Sequence, residues 1–285
     1  MPTGIGIRAH NYSARDDIQL LTNMLISQHV PYLQFSPAFS FPELTHNGDL
    51  INVGMGDYMR KVFAMSGINI AVLSCYVNII HPNWTVREKL LSRFEKYLMC
   101  ARSFGANIIA TETGSIDNQF IYTKENFTDQ AFSTTITSLK RLVQCAEKLG
   151  VIIGIEPGVH HPIYSLERTC KMLEMIPSPN LHVLLDPGNL VMAENYKDEI
   201  SIMEKCFQIF GNKIVAVHLK DFIVSDNKMQ LTSMGKGCAP IKDMLSIIKR
   251  YMPWGYIFLD EVPNGTKESV NESFQYLVQA QANLK

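Results

Sequence analysis

Four short apolar runs in this chain each lead into a side chain able to bind a metal or move a proton. Gly150-Val-Ile-Ile-Gly-Ile-Glu156 ends in a carboxylate before Pro157. Leu181–Leu185 runs into Asp186, Ile214–Val217 into His218, and Tyr256–Leu259 into Asp260-Glu261. Runs this short and this rich in Val, Ile and Leu read as strands buried on both faces. A carboxylate at the end of such a strand loses water, which is costly unless a cation, a metal or a proton offsets it. Taken singly, a strand-end acid is often a helix N-cap or an ion-pair partner, and a lone His a hydrogen-bonded core residue. Four in successive strands at one depth point instead to a shared divalent ion. Three oxygens and one imidazole suit Mn2+, Mg2+ or Co2+, with Zn2+ also admitted although its structural sites favour thiolate. Asp260 and Glu261 both stand as the fourth ligand, and only one should coordinate, because strand neighbours point to opposite faces.

The elements that must carry these residues alternate regularly. Helical stretches end in Ser66-Gly67, Phe104-Gly105, Leu149-Gly150, Phe210-Gly211 and Trp254-Gly255, each followed by a short apolar run. Glycine suits the left-handed residue that closes a helix, so each pair marks a helix-to-strand switch. Gly4–Arg8, Tyr32–Phe35 and Leu181–Leu185 complete a set of eight strands. Between them lie amphipathic segments: 16–28, 58–65, 86–102 opened by the capping box Thr85-Val-Arg-Glu88, 132–148, 166–175, 200–210, 241–250 and 268–280. Strand and helix in alternation imply a parallel sheet with right-handed crossovers. Eight units predict an α/β chain folded as a (β/α)8 TIM barrel, one domain over residues 1–285. An open doubly wound sheet is the runner-up, but no G-x-G-x-x-G follows an early strand. In a closed barrel the C-terminal strand ends converge on one mouth, where such enzymes place their chemistry.

Composition narrows the classes. A net charge of -1 argues against a global field for nucleic acid or an anionic membrane, so neither is expected as a partner. The six cysteines are scattered without a C-x-x-C pair, which suits reduced thiols in a cytoplasmic protein. No apolar run approaches the roughly 18 residues of a membrane span.

Ile155-Glu-Pro, Leu185-Asp-Pro-Gly-Asn and Val217-His-Leu-Lys-Asp, with an acidic final strand end, resemble the xylose isomerase-like TIM barrels, within these the sugar phosphate isomerase/epimerase group. The resemblance spans nearly the whole chain, including Asn78-Ile-Ile-His81-Pro82 and Thr111-Glu-Thr-Gly114. It implies one divalent ion held by Glu156, Asp186, His218 and the strand-eight acid, with Asp260 on the ligand position. It implies proton transfer beside a sugar carbonyl, through an enediolate. The ion acts there as a Lewis acid, and Glu156 with Asp260 or Glu261 removes and returns the proton. Ketose 3-epimerases of this fold carry a Glu where this chain has Pro162 and a His where it has Asn189. His161 and Lys220 are the candidates to hold sugar hydroxyls instead. The apurinic-endonuclease relatives need histidines for a three-metal cluster that Asn189 does not supply, so DNA cleavage is not expected.

Around that centre, His81, Glu112, His161, Asn189, Lys220 and Lys236 are the expected substrate contacts, and His10 a further mouth residue. Tyr32, Phe35, Phe39 and Trp84 would face the carbon side of a sugar. Lys236 between Gly235 and Gly237 reads as a phosphate seat, since glycines there free backbone N–H groups for an anion. The segments 36–54 and 225–240 are candidate lids. The expected activity is sugar isomerisation or epimerisation; a metal-dependent hydrolase or dehydratase and a non-catalytic sugar-binding barrel are its rivals. A homo-oligomer is consistent with such barrels, although no interface stands out in the sequence.

Overall fold

A computed structural model describes residues 4–284. Eight strands close into a parallel barrel: β1 (Gly4–Arg8), β2 (Tyr32–Phe35), β3 (Asn69–Ser74), β4 (Ile108–Glu112), β5 (Ile152–Glu156), β6 (Leu181–Leu185), β7 (Ile214–Leu219) and β10 (Tyr256–Leu259). The strands neighbour one another in chain order, and β10 closes the ring between β7 and β1. Around it run α1 (Ile18–Ser27), the short α2 (Pro37–Ser40), α3 (Val53–Ala64), α4 (Trp84–Cys100), α5 (Asp129–Leu149), α6 (Leu166–Met175), α7 (Glu199–Phe210), α8 (Ile241–Tyr251) and α9 (Lys267–Ala282). No helix among the described residues is long and apolar enough to cross a membrane.

Side-chain alternation divides the strands between two cores. One set, with Ile7, Leu33, Leu73, Ile109, Ile155, Leu185, Val217 and Leu259, packs outward against the helices. A smaller set, with Val72, Ile108, Ala110, Leu184, Ala216 and Phe258, fills the barrel interior, with Tyr32 and Ile152 against it. Two residues further along each strand the same inward parity reaches the mouth. It delivers Ser74, Glu112, Asp186, His218 and Asp260 above Val72, Ala110, Leu184, Ala216 and Phe258, and Gln34 above Tyr32. Register shifts sit beside two of these positions, at Leu33/Gln34 and Val183/Leu184; such irregularities re-aim side chains near sites.

Local chemistry fixes the helix ends. Thr128 caps α5 by accepting from Ala131 N, and Gly150 closes it at φ +62°, the left-handed region in which an L side chain is strained. Gly67, Gly105 and Gly211 also have positive φ, but Gly255 does not. The capping box expected at Thr85 is displaced: Asn83 accepts from Val86 N and places Thr85 inside the first turn of α4. Asn52 similarly starts α3 several residues before the expected Tyr58. The expected lid after strand seven is in part an antiparallel ribbon, β8 (Asp221–Ser225) with β9 (Lys228–Thr232). It turns at Asp226-Asn227, both at positive φ, a pairing that favours tight hairpins.

Candidate metal centre

Glu156, Asp186, His218 and Asp260 meet at the mouth, each buried, with one potential ligand atom apiece lying within 4.8 Å of the others. The parity that points Phe258 inward carries Asp260 to the same face. Glu261 turns aside to the rim, its side chain 47% exposed. His218 Nδ1 lies 3.3 Å from Glu156 Oε1 and 3.8 Å from Asp260 Oδ2, while Nε2 lies 2.6 Å from Gln34 Oε1. Asn189 Nδ2 donates to Glu156 Oε1 at 2.7 Å, and Tyr76 Oη donates to Glu156 Oε2 at 3.2 Å.

Two cations face the acids. Arg8, at the end of β1, pairs with Asp260 Oδ1. Lys220 Nζ lies 3.0 Å from Asp186 Oδ2, 3.5 Å from Glu261 Oε2 and 3.9 Å from Asp260 Oδ2, and also touches Asn189 Oδ1. Among the described residues neither Asp186 Oδ2 nor Asp260 Oδ1 accepts a well-directed hydrogen bond. Buried carboxylate oxygens served only by ion-pair contacts, converging with an imidazole, are a donor set that fits a divalent ion.

Electrostatics follow from burial and these neighbours. Burial would raise the pKa of Glu156, but His218, Arg8 and Lys220 outweigh it and hold the carboxyl at about 2. Burial dominates at Asp186 and raises it, with Lys220 opposing. Burial works against the charge of Lys220, yet Asp186, Glu261 and Glu156 keep its pKa above the ordinary value. Burial raises Tyr76 well above the usual phenol, reinforced by Glu156. Burial and then Arg8 hold His10 well below the usual imidazole.

A cavity of about 360 Å³ opens above this group, lined by Arg8, Phe39, Tyr76, Glu112, Phe120, Glu156, Asn189, Asp260 and Glu261. His161 borders it through Glu112, at 3.6 Å, and holds Gly114 O through Nδ1. Burial opposes protonation of His161, but Glu112 raises its pKa overall.

Other expected contacts lie elsewhere. His81 turns its ring to Asn83 N at the start of α4 and is absent from the cavity lining. Lys236 is exposed and pairs with Glu272 at 2.9 Å. The backbone N–H groups beside it are taken by the chain's own anion: Gly235 and Gly237 donate to Asp221 Oδ2, and Ala239 and Phe222 to Oδ1. No phosphate seat is left there. Of the four aromatics expected at the mouth, only Phe39 lines it. Phe35 lies in the outer core, Tyr32 packs on Tyr256 lower in the barrel, and Trp84 lines a groove between α4 and α5. Gln34, Tyr76 and Phe120 were not among the expected residues, and Arg8 entered only as the end of the first strand. Arg8 was legible as a strand-end residue. Gln34 was legible as an amide inside an apolar strand, which burial obliges to find partners.

The family model for xylose isomerase-like TIM barrels matches residues 39–280. No curated protein matches the sequence. Among solved structures, a D-tagatose 3-epimerase-like protein superposes with a TM-score of 0.75 at 18% identity, covering 98% of this chain and 97% of that one. The IOLI protein, with a bound zinc atom, gives 0.74 at 13%, covering 98% and 97%. The probable 3-DHS dehydratase AsbF from Bacillus anthracis gives 0.73 at 12%, covering 97% and 98%. At such identities the likeness carries the fold and not the activity.

Proposed function

The chain belongs to the xylose isomerase-like TIM barrel family, and from that premise we propose that it is a divalent-metal-dependent isomerase or epimerase of a sugar or sugar phosphate. The observation that carries this reading is the convergence of Glu156, Asp186, His218 and Asp260, of which Glu156 and Asp260 line the mouth cavity. A divalent ion held by these four would supply Lewis-acid polarisation of the substrate carbonyl; Mn2+, Mg2+, Co2+ and Zn2+ all suit the donors, and the zinc in the IOLI structure agrees with this.

The chain's own residues divide the remaining work. Glu156, held ionised, is one proton acceptor; Asp260, or Glu261 on the rim, faces the substrate from the β10 side as the second acid-base group. Asn189 and Lys220 bridge Glu156, Asp186 and Glu261, and are placed to hold substrate hydroxyls. Glu112 with His161 offers a paired acceptor and donor on the opposite wall. Phe39 and Phe120 supply apolar faces for carbon.

A second reading, dehydration, is favoured by one feature. The Lys220 ammonium sits among the acids, where it can protonate a departing hydroxide after the same C–H proton is removed. One experiment separates the two. The metal-loaded enzyme is incubated in D2O with a panel of ketoses and ketose phosphates. Isomerase or epimerase chemistry incorporates deuterium at the reacting carbon with the carbon skeleton and oxygen count unchanged. Loss of water from the product supports dehydration. Neither exchange nor loss of water with any ketose counts against both.

A further inference from the structure

Gln34 is fully buried in β2 and makes three side-chain contacts. Its Oε1 lies 2.6 Å from His218 Nε2, and its Nε2 donates to Tyr76 Oη at 2.9 Å and to Ser74 Oγ at 3.0 Å. Tyr76 Oη lies 3.2 Å from Glu156 Oε2, and Glu156 Oε1 lies 3.3 Å from His218 Nδ1. Gln34, His218, Glu156 and Tyr76 therefore form a closed ring of polar contacts.

The direction of each bond in that ring follows from counting protons. An ionised carboxylate only accepts, so the single Tyr76 proton goes to Glu156. Tyr76 Oη can then meet Gln34 only as an acceptor, which requires the amide NH2 on that side. The amide oxygen is left facing His218, so Nε2 must carry a hydrogen. Nδ1 then either donates a second hydrogen to Glu156 Oε1 or, in the neutral imidazole that an ion would bind, holds the free pair. That nitrogen, Nδ1, is the one turned to Glu156 and Asp260. Reversing the amide would put an NH2 against Nε2 and oblige Tyr76 to abandon Glu156.

We infer that Gln34 is a positioning residue: it sets the His218 tautomer so that Nδ1, with its free pair, is the metal-binding atom. The inference rests on the metal reading of the site and adds the residue that orients it. Ligand histidines usually donate their second ring N–H to an oxygen acceptor, and loss of that partner typically weakens metal binding 10- to 100-fold. An amide performs this orientation without adding a negative charge, where a carboxylate would also make the ring more basic.

The test uses the full chain with Zn2+ as probe. Dissociation constants are measured by chelator competition for the wild type, Gln34→Leu and Gln34→Glu. Long-range 1H–15N spectra of the Zn2+-loaded wild type identify which His218 nitrogen carries hydrogen. The expected results are a protonated Nε2, Gln34→Leu weaker by about 10- to 100-fold, and Gln34→Glu restored to wild-type affinity or tighter. A protonated Nδ1 overturns the inference, even if Gln34→Leu fails to fold. So does a folded Gln34→Leu within twofold of the wild type, or a Gln34→Glu as weak as Gln34→Leu. A wild type that binds no ion removes the metal reading itself, which is a distinguishable failure.

Discussion

Replacing Asp221 by Asn tests how the segment after β7 is held. Asp221 is buried, and its carboxylate collects four backbone N–H groups: Phe222 at 2.9 Å and Ala239 at 3.1 Å on Oδ1, Gly235 at 2.8 Å and Gly237 at 2.9 Å on Oδ2. An asparagine has the same shape but only one oxygen. Whichever way it turns, two of the four donors face an NH2 group. Hydrogen bonds to a charged acceptor contribute about 1.5–3 kcal/mol each, so losing two should destabilise the protein by about 3–6 kcal/mol, with no cavity created. For a chain of this length that corresponds to a fall of roughly 5–10 °C in Tm. Differential scanning calorimetry of the wild type and Asp221→Asn reads this directly. Gly237→Ala should give a loss of its own, because a Cβ there would strike Asp221 Oδ1 and Phe222 O. Metal content of the folded Asp221→Asn protein should be unchanged, since Asp221 lies outside the four-residue group. A Tm within 2 °C of the wild type (about 1 kcal/mol) would refute the claim that this carboxylate ties the loop down.

The remaining predictions concern the buried acids. Glu199 is almost fully buried, its Oε2 has no hydrogen-bond partner among the described residues, and burial first, then Asp186, raises its pKa to about 8. Its folded pKa lies above its ordinary 4.5, so the unfolded chain gives up this proton first. Metal-free wild type should therefore lose stability relative to Glu199→Gln as pH rises from about 4.5 to about 8, by roughly 2–5 kcal/mol, measured by urea melts across pH. Glu156 acts in the opposite sense: with its folded pKa lowered to about 2, its contribution is present above about 4.5 and lost as pH falls toward 2, so acid melts of Glu156→Gln should show a flatter slope in that window. Asp260→Asn should lose the ion while Glu261→Gln keeps it, by elemental analysis after dialysis; the reverse pattern would exchange their assignments. Tyr76→Phe removes the proton donated to Glu156 Oε2 and the acceptor of Gln34, so it should weaken metal binding about tenfold.

Alternating strand and helix, read from apolar runs and glycine stops, was enough to place the barrel and its strand ends, because a period of two and a closed ring leave little freedom. The same parity explains why Asp260 joins Phe258 on the inner face while Glu261 does not. What escaped the sequence depends on partners far along the chain. Gly235-Lys-Gly237 looked like an anion seat, and it is one, but Asp221 occupies it. Thr85-Val-Arg-Glu88 had the form of a capping box, yet Asn83, two residues earlier, reached Val86 N first. The amide in Tyr-Leu-Gln-Phe signals a buried group in need of partners, but which partners it finds is visible only in the ring that Gln34, His218, Glu156 and Tyr76 close. The aromatic wall was misplaced because Tyr32 and Phe35 sit at depths and faces that residue type alone does not reveal.

On the metal reading, Glu156, Asp186, His218 and Asp260 hold one divalent ion. Crystals of the full chain grown with Mn2+ or Zn2+, measured at the metal absorption edge, test it most directly. The expected result is a single strong anomalous peak about 2.0–2.3 Å from an oxygen of each carboxylate and from His218 Nδ1. An absent peak, or one bound away from these four side chains, would contradict it.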